Sequence, residues 1–258
     1  MIHKQLGDSG AYERTDTRRI PSKNLDVLAD YWKTYRHQGL RSVWANLVER
    51  YWFDWRFGTD TGLPLARPDF QQHPMHFEHG LSYASSWTSE VKLIFQQIRI
   101  LLGDSFPDWT FVDIGCGKGK VVLQWQQECR RAGVQQQAIG VDYYEPLIQI
   151  AQSNHRKLFS DSGRFVVGEA SAIDFKAFGD HVVAYLYNPF DAVVLSAVLQ
   201  NLARQPCVLI YTNPTHAQLP ERFGFRLHAH KRKSFHVNQE TMIFISSHLR
   251  TDDHPQPP

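Results

Sequence analysis

The stretch Phe111-Val-Asp-Ile-Gly-Cys-Gly-Lys-Gly-Lys120 constrains the fold more than any other, because an apolar run there breaks into glycine at every second position. Residues 110–114 are β-rich and apolar apart from Asp113, as a buried strand requires, and Val121-Val-Leu-Gln-Trp-Gln-Gln-Glu-Cys129 resumes with helical spacing. The stretch therefore predicts a strand, a tight turn and a helix. Glycine serves where the backbone takes positive φ or must approach a ligand with no Cβ in the way, so Gly115, Gly117 and Gly119 together imply something docked against bare backbone. Two phosphate-loop patterns fail on the letters. The P-loop needs Gly-x-x-x-x-Gly-Lys-Ser/Thr, but Val121 follows Gly119-Lys120 and Gly115 lies one residue too close. The dinucleotide fingerprint Gly-x-Gly-x-x-Gly needs a glycine where Lys120 stands.

Beyond the turn the chain keeps alternating between strand and helix. Residues 138–142, Ala-Ile-Gly-Val-Asp, form a second apolar strand ending in an acid, and Asp142 comes 23 positions after Gly119. That is close to the roughly 20 expected of the carboxylate that takes ribose hydroxyls at the end of the second strand of such a unit. A carboxylate suits that task because it accepts two hydrogen bonds and carries no competing donor. The other reading of Asp142 is a cap on the helix predicted over 145–159. Residues 164–168 make a third strand, followed by Glu169-Ala170, and 182–187 a fourth that runs into Asn188-Pro-Phe190. A helix over 191–202, a fifth strand over 207–213 and an antiparallel hairpin of 223–230 with 241–247 complete the pattern. Strands alternating with helices predict an α/β fold: a doubly wound, mostly parallel seven-stranded sheet with an antiparallel C-terminal hairpin.

Ahead of this unit the chain is different. Residues 1–22 are polar and predict a flexible arm, and residues 250–258 a disordered tail. Two helices over 24–37 and 40–55, separated by Gly39, would form an N-terminal helical cap. Five of the seven tryptophans precede residue 88, and the expectation is that these aromatic faces pack as core, the sharper alternative being a cap over the ligand. Residues 57–80, with Pro64, Pro68 and Pro74, make a long irregular connection that suits a lid. A helix over 88–102 then leads into the first strand. The domains expected are thus 1–22, a cap and lid region over 23–87, the main domain over 88–249, and the tail.

Composition excludes several classes. With 258 residues and 42% hydrophobic content the chain can bury a sizeable core, and a net charge of +2 is too mild to demand nucleic acid or an anionic membrane. Cys116, Cys129 and Cys207 form no Cys-x-x-Cys pair, which favours a reducing compartment. No apolar run nears the ~20 residues that span a bilayer, and no signal-peptide core is visible, so a soluble, cytoplasmic protein is expected. His73, His76, Glu78 and His79 match no metal-ligand spacing, and no metal site is expected. His228 and His230 are expected as strand residues, Lys120 as solvent-facing, and His230-Lys-Arg-Lys233 as an exposed basic turn.

In order, Asp113 with Gly115, Gly117 and Gly119, then Asp142, Glu169-Ala170 and Asn188-Pro189-Phe190 resemble the motifs of the class I S-adenosylmethionine-dependent methyltransferases, over about residues 88–247. The resemblance implies that the glycine turn passes under the methionine part of S-adenosylmethionine, with Asp113 near its amino group, Asp142 on the ribose and Tyr143 packed on the adenine. It implies Glu169 as acceptor from the exocyclic amine, where Asp is commoner in the family, and the Ala170 backbone N–H against the ring. Phe57-Gly-Thr-Asp-Thr61 and the Asn-Pro-Phe step also resemble a bacterial group of methyltransferases with poorly defined acceptors.

Asn188, Pro189 and Phe190 are the candidate catalytic residues. They are similar to the Asn/Asp-Pro-Pro-Tyr/Phe motif of nucleic-acid amino-methylating enzymes, with the second proline missing; a strand-ending turn is the other reading. The expected function is methyl transfer to an amine or hydroxyl of a small molecule or a protein side chain. A nucleic-acid amino-methyltransferase, against which the near-neutral charge stands, and a scaffold that keeps the fold without activity are the alternatives.

Overall fold

The computed structural model describes residues 25–62, 86–187, 190–232 and 239–249. The predicted arm over 1–22, the histidine cluster at 73–79, the loop from residue 63 to 85, Asn188, Pro189, Lys233 and the tail lie outside the described residues. The chain divides into two compact units, residues 1–44 and 45–258.

Helix α1 (Leu25–Phe57) is continuous except at Gly39, whose φ of 78° and ψ of 176° break the helix where the sequence predicts a separation. Its aromatic residues correct the sequence expectation. Trp32, Trp44, Trp52 and Trp55 are all more than half exposed, while Phe53 is buried. Gly39 divides α1 into two helical halves, so its aromatic residues share no continuous face.

In the second unit the alternating pattern folds as predicted. β1 (Thr110–Ile114), β2 (Ala138–Asp142), β3 (Arg164–Val167), β4 (Val182–Tyr187) and β5 (Cys207–Thr212) pair in parallel, and β6 (Phe225–Lys231) and β7 (Thr241–Ser246) add antiparallel. The order is β3-β2-β1-β4-β5-β7-β6, so β7 lies inside the sheet and β6 forms its edge. Burial follows from position. β1, β2, β5 and β7 are buried along their whole length, as continuous apolar runs covered on both faces require, whereas the edge strand β6 is buried only at Phe225 and otherwise half-buried or exposed.

Helices α2 (Thr88–Leu102) and α3 (Lys120–Arg131) cover one face, where Trp125 stacks on Phe111 and meets Phe95 edge-on. The other face carries α5 (Ala192–Leu202), capped by the Asp191 carboxylate accepting from the Val193 and Val194 N–H groups. α4 (Glu145–Phe159) packs on β2 and β3, and the short α6 (Leu219–Arg222) precedes β6.

The basic run differs from expectation. Lys231 is the last residue of β6, and its Nζ donates to both oxygens of Glu90 at 2.6 and 2.5 Å. Glu90 is buried in the first turn of α2, where an unpaired carboxylate would be costly, and that recruits Lys231 from the predicted solvent-facing cluster. His230, on the same strand, pairs with Glu240 at 2.7 Å.

Candidate functional site

Every glycine of the turn after β1 takes positive φ: 81° at Gly115, 52° at Gly117 and 82° at Gly119. Backbone bonds pin the turn to the next strand, with Gly115 N–H and Cys116 N–H both donating to the Val141 carbonyl at 2.8 and 2.9 Å. Gly119 is also a packing glycine. A Cβ there would lie 2.9 Å from Ala151 Cβ and 3.1 Å from the Phe165 ring, so any side chain would push α4 and β3 away from the turn.

Asp142 ends β2 beside that turn. Its Oδ2 accepts from Gly117 N–H and its Oδ1 from Tyr144 N–H, both at 2.9 Å. The two readings of Asp142 thus coexist: the carboxylate fixes the entry to α4 and also faces the crevice. Gly115, Asp142 and Tyr143 line one wall of a cleft, Glu169 and Ala170 a second, and Phe190 with Val194 a third. Glu169 Oε1 is buried and has no hydrogen-bond partner among the described residues. A buried acceptor left in that state is costly unless a ligand supplies the donor.

Asp113, inside β1 between Gly140 of β2 and Tyr185 of β4, is buried. Burial, and then the charge of Asp142, push its carboxyl well above the usual range. Burial likewise raises Asp142 to about 6, against the opposing pull of its backbone N–H donors. Two acids with weakened ionisation beside bare backbone favour a ligand that brings positive charge or hydroxyl donors.

The structure brings Gly115, Asp142, Tyr143, Glu169, Ala170 and Phe190 to one cleft; Gly117 and Gly119 belong to the turn but do not line the cleft, and Asp113 is buried within the sheet. Phe190 therefore belongs to the same cleft as Glu169, and it also packs against the core under α5.

A second set of residues straps the turn from outside; the sequence singles out its Phe57–Thr61 segment by resemblance, but not the partners Asp54 and Asn154 that hold it. Residues 57–62, expected as the start of a lid, are tied down instead. The Asp54 carboxylate accepts from Thr59 Oγ1 at 2.6 Å, from Thr61 N–H and Oγ1 at 2.8 Å, and from Gly62 N–H at 2.5 Å. Asn154 of α4, almost fully buried, accepts from Asp60 N–H at 2.9 Å and donates to the carbonyls of Asp60 and Lys118. Lys118 Nζ donates to Asp60 Oδ1 at 2.9 Å. Lys120, expected in solvent, is buried with its Nζ donating to the Glu49 carbonyl at 2.8 Å, and burial lowers it to about 8. The signal available in the sequence was the density of Gly, Thr and Asp in 58–62, which marks turns closed by side-chain oxygens.

No curated protein matches the chain in sequence. Among solved structures, magnesium protoporphyrin IX methyltransferase from Synechocystis PCC 6803 with bound SAM is similar at a TM-score of 0.49 and 15% identity, covering 80% of this chain and 96% of that one. TrmN from Thermus thermophilus gives 0.44 at 16% identity, over 60% of this chain and 48% of its own. The ribosomal protein L11 methylase from Lactobacillus delbrueckii subsp. bulgaricus gives 0.43 at 15%, over 61% and 77%. Residues 105–256, more than half of the sequence and the whole stretch from the glycine turn through β7, match the methyltransferase domain family, and the chain belongs to that family.

Proposed function

We propose that this chain transfers a methyl group from S-adenosylmethionine to an amine or hydroxyl of a small molecule or of a protein side chain. The donor follows from the methyltransferase domain. The residues present fit it. Gly115 leaves exposed backbone at the mouth of the turn, Asp142 offers a carboxylate to ribose hydroxyls, and the unpartnered Glu169 Oε1 matches the donor of an exocyclic amine. That orphaned oxygen, on a residue that lines the same cleft as Asp142, is the observation that carries the reading. Asp142 would hold the sugar, Tyr143 and Phe190 would flank the base, the Ala170 backbone N–H would meet its ring, and the turn from Gly115 to Gly119 with Asp113 behind it would hold the amino-acid end.

When bound, the sulfonium supplies a methyl that already carries its leaving group, so the transfer is an in-line displacement that needs no protein nucleophile. The chain's part is alignment and dryness. The glycine turn presents bare backbone whose shape is fixed because the N–H groups of Gly115, Cys116 and Gly117 donate to the Val141 carbonyl and the Asp142 carboxylate, and the strap at 57–62 holds that turn from outside. By the motif resemblance, Asn188 and Pro189, which lie outside the described residues, would serve the acceptor, a side-chain amide oxygen and a backbone carbonyl orienting the attacking lone pair.

The test is calorimetry with S-adenosylhomocysteine. Binding in the micromolar range that Asp142→Ala abolishes supports the reading; a flat titration of folded wild-type protein would sink it. Acceptor class is then read by incubating labelled donor with the extracted small-molecule and protein fractions separately.

A further inference from the structure

We infer that the cleft between the end of α1, the start of α2 and the outer face of α3 is a second ligand site, which takes a small aromatic acid whose ring carries a polar substituent. The cleft encloses about 740 Å³, counting the part open to solvent. It shares no residue with the cofactor cleft. Three helices build it with the spacing of facing surfaces. Trp52, Phe53, Arg56 and Phe57 come from α1, Thr88 and Lys92 from α2, and Gln124, Gln127, Glu128 and Arg131 recur at i, i+3, i+4 and i+7 along α3.

The chemistry of the lining selects the ligand. Gln124 lies at its inner end, only 4% exposed, with Nε2 donating to Thr88 Oγ1 at 2.8 Å and Oε1 buried with no partner among the described residues. A hydroxyl partner such as Thr88 is compatible with either orientation of the amide, and each orientation leaves one polar end open. A ligand hydroxyl, able to donate or accept, answers both cases. The same cleft is lined by the aromatic rings of Trp52, Phe53 and Phe57, the two phenylalanines centred 5.0 Å apart. Such faces favour a flat apolar body.

At the rim the charge is positive. Arg131 pairs with Glu128, but Arg56 and Lys92 have no ion-pair partner among the described residues, and the Arg56 guanidinium lies over the Phe57 ring at 5.4 Å. A carboxylate on the ligand would meet these two cations, which attract an anion without being consumed by a protein acid. Three aromatic rings, Trp52, Phe53 and Phe57, supply the apolar wall, and polar and charged side chains from α1, α2 and α3 converge on it, as the orientation of a small ligand requires.

The probe is 4-hydroxyphenylacetate, titrated into the isotope-labelled full-length chain and followed by amide and side-chain NH2 resonances, with and without saturating S-adenosylhomocysteine. Shifts are expected at residues 52–57, 88–92 and 124–131 and at the Gln124 side chain, unchanged in position when the homocysteine derivative is present. Phenylacetate, which lacks the hydroxyl, should bind about 5- to 10-fold more weakly, the ratio expected for one hydrogen bond to a buried partner. Gln124→Leu should erase the difference between the two acids. Lys92→Glu should weaken both acids and leave 4-hydroxyphenylacetamide unaffected. The inference is overturned if millimolar probe moves nothing, if the shifts fall instead around Gly115, Asp142 and Glu169, or if Lys92→Glu and Trp52→Ala bind as the wild type does.

Discussion

Asn154 grips both backbone polar groups of Asp60, accepting from its N–H at 2.9 Å and donating to its carbonyl at 3.0 Å. The same Nδ2 reaches the Lys118 carbonyl at 3.1 Å. One buried amide on α4 thus joins the strap to the glycine turn, across 94 positions of sequence on one side and 36 on the other. Replacing it with Leu strands buried backbone groups, which should cost about 2–4 kcal/mol of stability and weaken S-adenosylhomocysteine binding as the turn loosens. Melting and calorimetry on Asn154→Leu check both; an unchanged melting temperature would mean that Asp54 alone secures the strap.

Asp142 gives a pH dependence with a definite sign. Its carboxyl, raised to about 6 by burial, must be ionised to accept from the ribose with both oxygens. Affinity for S-adenosylhomocysteine is therefore expected to be level above about pH 7 and to fall as pH drops through about 6, approaching tenfold per unit. For stability the sign reverses. A folded value above the unfolded ~3.9 means that the acid's favourable contribution is present below about pH 4 and lost as pH rises through 6. Buried Asp113, also raised, adds to the same trend. Cofactor-free protein should accordingly melt lower at about pH 7 than at about pH 5, and Asp142→Asn should narrow that gap. An affinity that stays constant down to pH 5 would remove Asp142 from ligand contact.

Glu169 can be tested by what it offers a donor. Glu169→Gln retains an oxygen acceptor in the cleft and should hold affinity for S-adenosylhomocysteine within a few-fold, whereas Glu169→Leu should lose about tenfold. Equal affinities for the two variants by calorimetry would place the adenine elsewhere.

Gly119 is doubly constrained, by a φ of 82° and by Ala151 Cβ at 2.9 Å from where its own Cβ would stand. Gly119→Ala should destabilise by about 2–4 kcal/mol, the backbone strain contributing roughly 1 kcal/mol of it. Adding Ala151→Gly relieves the clash but not the strain. The double variant should therefore recover part of the loss in denaturant titrations, and full recovery would show that the left-handed backbone carries no penalty here.

The fold was legible because its strands announce themselves locally. Residues 110–114, 138–142 and 182–187 are apolar runs of strand length bounded by glycine, acid or turn residues, and α2 and α4 follow the helical period to their observed ends. The hairpin was visible too, but not that β7 slots between β5 and β6, since antiparallel pairing with either neighbour produces the same period. For the candidate site, the glycines, Asp142 and Glu169 stood out because bare backbone and strand-end acids are rare letters in such a context. Lys120, Asp54 and Asn154 did not. A lysine and an asparagine in helices look like surface residues until the chain returns from 71 or 94 positions away to meet them, and Asp54 meets its partners only 5 to 8 positions on, where the chain turns back on the helix end. The tryptophans of α1 misled for the opposite reason: size suggests burial, but only a shared stripe can deliver it.

Because β7 is an interior strand made after its outer neighbour β6, the order of synthesis and the order of assembly disagree. A chain emerging from the ribosome exposes the open flank of β5, a row of unsatisfied backbone groups, until residue 246 is free to insert. Until then this protein is a sheet with a sticky rim, so its yield in cells should depend on chaperones that shield nascent β-edges more than on the strength of its finished core.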